Sequence, residues 1–176
     1  MNEIIENINE RILAGINCLK GSIPVRAFGL AKPVNLIDDS IDGSLPAIID
    51  NEGECYYVFT DDEYPLGFYH RLISRTYGKQ KGYGDNDLDA QTDELIIVVW
   101  GLSKQLEMQA EEVEREIIIP AIPAKAVPVQ SNFDAKTVCQ TEWRGYNYIN
   151  KPEEFIFSTR YRISTVFNRK CREIKC

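Results

Sequence analysis

The sequence predicts an α+β fold: a mostly antiparallel sheet with a long β-hairpin, packed against an N-terminal helix and a central helix. Three stretches carry that expectation. Residues 2–19 place Ile4, Ile5, Ile8, Ile12, Leu13, Ile16 and Leu19 on one helical face. Residues 93–119 run from a short apolar stretch rich in β-branched residues, 95–100, through Gly101 into a helical pattern. Residues 155–167 alternate, with Phe155, Phe157, Thr159, Tyr161, Ile163, Thr165 and Phe167 on one side.

Composition fits one domain, 1–176. The chain has 176 residues, 44% hydrophobic and 27% charged, which is enough apolar material for a mid-sized core and argues against disorder. The formal net charge of −7 argues against a protein that coats nucleic acid with its whole surface. Met1 is followed at once by an amphipathic pattern, so no secretion signal is expected. No apolar run reaches the ~18 residues of a membrane-spanning helix. Cys18, Cys55, Cys139, Cys171 and Cys176 are scattered and odd in number, which suits reduced thiols in a cytosolic setting.

Along the chain, Asn2 is the expected N-cap of the first helix and Gly21 its end. Residues 25–30 and 45–49 are candidate strands in a proline-broken segment, with Asp38, Asp39 and Asp42 in a turn before Gly43. A strand over 55–60 reaches the turn at Asp61, Asp62 and Glu63. The next strand, 66–77, puts Leu66, Phe68, His70 and Leu72 on one face and Tyr69, Arg71, Ile73, Arg75 and Tyr77 on the other. Residues 78–92 read as a projecting loop, basic first and acidic second, joining 66–77 to 95–100 as one long hairpin. One helix over 103–119 carries a stripe of Leu102, Leu106, Ala110, Val113 and Ile117. Pro120, Pro123 and Pro128 make 120–128 an extended Pro/Ala arm. Residues 129–151 carry Val138, Trp143, Tyr146 and Tyr148 between turn residues, before the final strand.

No catalytic signature emerges, and no cofactor or metal is implied. Asp85, Asp87 and Asp89 have the spacing that opens a calcium loop, but Ala90 stands where the sharp-turn glycine belongs and Ile96 where the closing glutamate belongs. Glu173 and Lys175 have a spacing used by some metal-dependent nucleases, yet they follow the last strand. His70, the single histidine, has apolar neighbours at its alternate positions and reads as packed and hydrogen-bonded. The residues that point outward are basic or aromatic: Lys79, Lys81 and Tyr83 near the hairpin tip, and Arg160, Arg162 and Arg169 on or after the last strand. Residues 38–63 hold many Asp and Glu and no Lys or Arg. Identical subunits set head to tail would bring these opposite charges together.

With its N-terminal amphipathic helix (3–19), long hairpin with a mobile tip (66–100), helix directly after it (103–119) and long alternating final strand (155–167), the chain resembles the tail-terminator and neck (head–tail connector) ring proteins of tailed bacteriophages. The resemblance implies a non-enzymatic virion protein, assembled in the bacterial host cytoplasm. It would form a homo-oligomeric ring against portal, connector or tail-tube proteins, and DNA would pass through without specific binding. It implies no cofactor and no membrane. The residues leave two other readings open: a small metal-dependent nuclease, and a monomeric adaptor or binding module.

Overall fold

The computed structural model describes residues 1–38, 43–58, 63–81, 87–144, 146, 148, 149 and 151–167. Helix α1 (Asn2–Lys20) is followed by β1 (Val25–Leu30), β2 (Lys32–Asp38), β3 (Gly43–Ile49) and β4 (Cys55–Tyr57). The long strands β5 (Leu66–Lys81) and β6 (Asp87–Leu102) come next. Short helices α2 (Ser103–Leu106), α3 (Ala110–Val113), a π-helical turn (Glu114–Ile118) and α4 (Ile119–Ala121) lead to β7 (Ala126–Asn132), α5 (Ala135–Glu142) and β8 (Glu154–Phe167). The main sheet has five strands in the order β1-β5-β6-β8-β7, antiparallel except for the parallel pair β1 and β5. A second, antiparallel sheet of three strands runs β2-β3-β4.

The isoleucine stripe of α1 does what its spacing predicts. Ile5, Ile8, Ile12 and Ile16 are buried against Leu95, Ile97 and Val99 of β6 and Phe155, Phe157 and Tyr161 of β8. Leu19 lies beyond that contact and stays exposed. The N-cap is Met1 rather than Asn2, which is already helical, and no side chain caps this end. Gly21 closes the helix with φ of 73°, a backbone region open to glycine without steric penalty.

Strand β6 is buried on both faces, as its unbroken apolar run implies. Leu95, Ile97 and Val99 face α1, while Ile96, Val98 and Trp100 face the opposite way. That second face is not solvent-facing, as a single helical layer would leave it. It is covered by α5 and the small sheet, through Val138, Cys139, Trp143, Ile48 and Val58. The indole of Trp143 donates to the Ala47 carbonyl at 2.9 Å, tying the two covers together. Gly67 is required here: a Cβ would come within 2.3 Å of the Trp100 ring.

The expected single helix over 103–119 is broken. Glu107 takes a left-handed conformation (φ 51°, ψ 34°) after α2, and Gln109 restarts the chain with a reciprocal cap to Glu112. The next turns widen, with the Ile119 N–H donating to the Glu114 carbonyl five residues back. Pro120 contributes, because its ring would collide with the carbonyl of residue 116 in a regular helix. The stripe still reaches the core through Leu106, Val113 and Ile117.

The Pro/Ala arm 120–128 does not project. Ala121, Ile122 and Ala126 are buried, and the chain folds back as β7, the edge strand beside β8. Pro128 is tolerated because it sits at that edge, next to an irregularity between Pro128 and Gln130. Helix α5 lies in the stretch 129–151, where no helix was expected. Asp134 caps it by accepting from the Lys136 N–H at 3.1 Å. Strand β2 was also unexpected, and Pro33 is accommodated because β2 is an edge. Strand β4 ends at Tyr57, before the expected Thr60. The turn residues Asp39, Asp42, Asp61 and Asp62 lie outside the described residues.

Candidate functional site

Strands β5 and β6 each run 16 residues. The loop expected over 78–92 is therefore mostly strand. Pairing continues from Leu66↔Gly101 to Lys81↔Asp87, leaving only 82–86 between the strands, outside the described residues. Polar residues hold extended structure here because β8 pairs alongside as far as Asp89↔Phe167. Cross-strand hydrogen bonds on both sides of β6 override weak strand propensity.

The result is a three-stranded arm continuing the sheet beyond its core. On β5, Ser74, Arg75, Thr76, Tyr77, Gly78 and Lys79 are exposed, as are Ser164, Thr165 and Val166 on β8. Tyr77 is 70% exposed. The arm reaches about 26 Å, for eight residues of β5 past the core at ~3.3 Å each. A hydroxyl ladder crosses it, from Thr76 Oγ1 to the Thr92 carbonyl at 3.4 Å and between Thr92 Oγ1 and Ser164 Oγ at 3.3 Å.

An ion pair marks the root of the arm. Arg75 donates to both carboxylate oxygens of Asp93, at 2.6 and 3.1 Å, and Gln91 donates to the same group at 2.9 Å. Burial pushes the Asp93 carboxyl up, but these hydrogen bonds outweigh it and hold it below the usual range. Simple alternation from Tyr69 puts Arg75 on the α5 side. A register shift between Leu72 and Ser74 turns it to the α1 side instead, where its guanidinium also meets Met1 Sδ at 3.4 Å.

Below the root, two polar clusters lie inside the packing. On the α1 side, His70 is fully buried. Its Nε2 donates to Asn9 Oδ1 at 2.7 Å, and its Nδ1 accepts from the Tyr161 hydroxyl at 2.9 Å. Asn9 Nδ2 already donates to the Phe28 carbonyl, so its oxygen faces the imidazole and the neutral ring is satisfied. Burial lowers the His70 pKa to about 3 and raises that of Tyr161. On the other side, the buried Glu142 carboxylate accepts from Tyr69 Oη at 2.8 Å and from Arg71 Nε at 2.7 Å. The Cys139 thiol, buried beside them, is pushed up to about 12, which removes it as a nucleophile at neutral pH.

The expected contact residues are not gathered into one patch. Lys79 is exposed on β5, opposite Asp89 in the register, and Lys81 closes the strand opposite Asp87. Arg160 and Arg162 lie on the α5 side of β8, paired with Glu94 at 3.8 and 3.2 Å. These pairs are about half exposed, so they orient the arginines more than they stabilise the fold. Tyr83, Arg169, Asp85, Glu173 and Lys175 lie outside the described residues. Among the described residues, no group of three His, Cys, Asp or Glu side chains is placed to hold a metal ion, and no helix is long and apolar enough to cross a membrane.

One feature escaped sequence reasoning. An open cleft of about 590 Å³ lies between β1 and β4, lined by Arg26, Phe28, Asp50, Tyr56, Tyr57 and Tyr64 among others. The Arg26 guanidinium sits 4.5 Å over the Tyr64 ring and donates to the Tyr57 carbonyl at 3.4 Å. The Phe28 and Tyr56 rings are 4.8 Å apart. The signal was present as three tyrosines within an acidic stretch, but nothing local placed them against β1.

In comparisons with known proteins, no family model and no curated protein matches the chain.

Proposed function

We propose that this chain is a structural virion subunit that forms a homo-oligomeric ring at the head–tail junction or tail end of a tailed bacteriophage, with DNA passing through the lumen without specific binding. The observation that carries the reading is the arm. A ribbon whose two outer strands are exposed and whose middle strand is only half-buried gains little stability from its own chain, since sheets are ordinarily held by burial of at least one face. Neighbouring subunits would supply that burial. The buried, hydrogen-bonded state of His70 and the high thiol pKa of Cys139 give the core a structural role and fit a subunit rather than a catalyst. Light scattering after size exclusion, with electron microscopy, tests the reading. The chain alone, or mixed with portal, connector or tail-tube proteins, is expected to give closed rings. A strict monomer in every mixture overturns it. Replacing 82–86 by an Asn-Gly turn is expected to leave the circular dichroism spectrum unchanged and to weaken ring formation.

A second reading, a monomeric binding module, has one observation in its favour: the tyrosine-lined cleft between β1 and β4. It predicts a stable monomer with one saturable ligand.

A further inference from the structure

The cleft and the basic segment after β8 are complementary in charge, and β8 ends far along the sheet from the cleft. We infer that the cleft between β1 and β4 receives the basic segment 169–175 of a second copy of this chain. The inference deepens the ring reading by naming one subunit contact.

Chemistry supports the match. The segment carries Arg169, Lys170, Arg172 and Lys175 against one acidic residue, Glu173. The cleft rim carries Asp50, with exposed Glu52 and Glu54 on the adjoining turn. One oxygen of Asp50 accepts the Glu52 and Glu54 N–H groups, which fixes the carboxylate at the rim. The walls are aromatic, and Tyr57 is 51% exposed. Arginine and lysine side chains stack on such rings while their heads meet carboxylates. Arg26 already shows how this cleft holds a guanidinium, engaged by the Tyr64 ring and the Tyr57 carbonyl. The acidic rim also raises the Tyr56 pKa, after a larger effect of burial. Arg160 and Arg162, lower on the same strand, are paired with Glu94 in their own chain.

Geometry favours two copies. Strand β1 pairs with β5 from Leu66 to His70, which lie opposite Gly101 and Ile97 of β6. The last strand ends at Phe167, opposite Asp89 of β6. The two places are thus about 26–40 Å apart along the sheet at ~3.3 Å per residue, and three strand spacings of ~4.8 Å apart across it. From Phe167, Arg172 can extend at most about 18 Å and Lys175 about 29 Å. Arg169, Lys170 and Arg172 therefore fall short of their own cleft and only a fully extended chain brings Lys175 to its near edge, whereas a head-to-tail neighbour can present the whole segment there.

The test uses a fluorescent peptide of residues 168–176 with both cysteines replaced by serine. Its partner is the full chain with Arg169, Lys170, Arg172 and Lys175 each changed to glutamine, so that no intact segment competes. Saturable binding is expected, weakened at least tenfold by Glu52→Gln with Glu54→Gln, weakened likewise by Tyr57→Ala, and falling as salt rises. All three positions are exposed, so the fold should persist, with circular dichroism as the check. Binding that ignores these substitutions, or no saturable binding at millimolar peptide, overturns the inference. Mixing the segment-neutralised chain with the cleft-substituted chain is expected to give a hetero-pair through the one intact contact, and its absence assigns any peptide binding to something other than a subunit contact. Electron microscopy of the unsubstituted chain keeps the two ideas separate. Peptide binding without rings overturns the ring reading alone. Rings that persist in both variants, without peptide binding, overturn this inference alone.

Discussion

The lower and upper halves of one hairpin follow opposite rules. From residue 95 to 100, β6 is buried on both faces, between α1 and the cover made by α5 and the small sheet. From 88 to 92, the same strand keeps its hydrogen-bonded neighbours but lies outside both buried clusters. The lower half is held by packing, the upper half by backbone pairing and a few polar contacts. The boundary is the Arg75–Asp93 pair, where the side chains change from apolar to polar. Pairing alone can extend a sheet well past its core, but the extension contributes little to stability and is available for other contacts.

The sharpest way to break this comparison is to strike the lower half. Glu142→Ala leaves Arg71 and the Tyr69 hydroxyl without their shared acceptor inside the α5 cover. It is expected to cost about 4 kcal/mol in chemical denaturation, in the range for opening a buried ion pair. A loss below about 1 kcal/mol would show that the cover carries little. Ile97→Ala removes a fully buried side chain from the α1 face and is expected to cost about 3 kcal/mol. Thr92→Ala, five residues up the same strand, is expected to stay within about 0.5 kcal/mol. Equal costs at the two positions would erase the distinction between the halves.

Acid provides a third probe. The folded His70 pKa, about 3, lies below its ordinary value of about 6.5. The unfolded chain therefore binds a proton first as pH falls, and the stability this group contributes is full above pH ~6.5 and lost toward pH 3. Between pH 6.5 and 5 the loss should approach about 2 kcal/mol, at ~1.4 kcal/mol per unit. His70 is the single histidine, so His70→Gln should flatten that slope even if it lowers stability overall. An unchanged slope in the variant would contradict the buried neutral imidazole.

A modest effect is expected at the arm root. Asp93 has its folded pKa held below 3.8, so its contribution is present above that value and is lost as pH falls below it. Arg75 is about one-third exposed and solvent screens the pair, so Asp93→Asn should cost only about 1 kcal/mol near neutral pH. Amide hydrogen exchange should then show faster opening in the arm with the lower strands unaffected.

Several parts of this architecture were legible without coordinates. The isoleucine spacing of α1, the continuous apolar run of β6 and the alternation of β8 each follow from a local period that only one secondary structure satisfies. Residues 66–100 were also legible as a hairpin. The misreadings share a cause. Residues 78–92 look like a loop because glycine, asparagine and aspartate have weak strand propensity, yet two flanking strands supply the pairing. Residues 120–128 look like an extended Pro/Ala arm, yet from Ala126 the chain takes an edge place beside β8 that tolerates Pro128. The stripe over 103–119 reaches the core as expected, but through a chain broken at Glu107 and widened before Pro120. Helix α5 is only eight residues long, and its capping Asp134 reads locally as a turn residue.

The sequence by itself determined which face of each of the three strongly periodic elements enters the core, though not that Leu19 and Thr165 stay exposed or that Ser158 is buried, because side-chain period and hydrophobicity are properties of the local chain. Only the tertiary structure decided that the sheet has two covers, that the hairpin continues as an exposed arm, and that three tyrosines and Arg26 enclose a cleft. Those outcomes depend on contacts between residues far apart in the chain, such as Trp143 with Ala47 and Arg71 with Glu142, and no local pattern encodes such pairings.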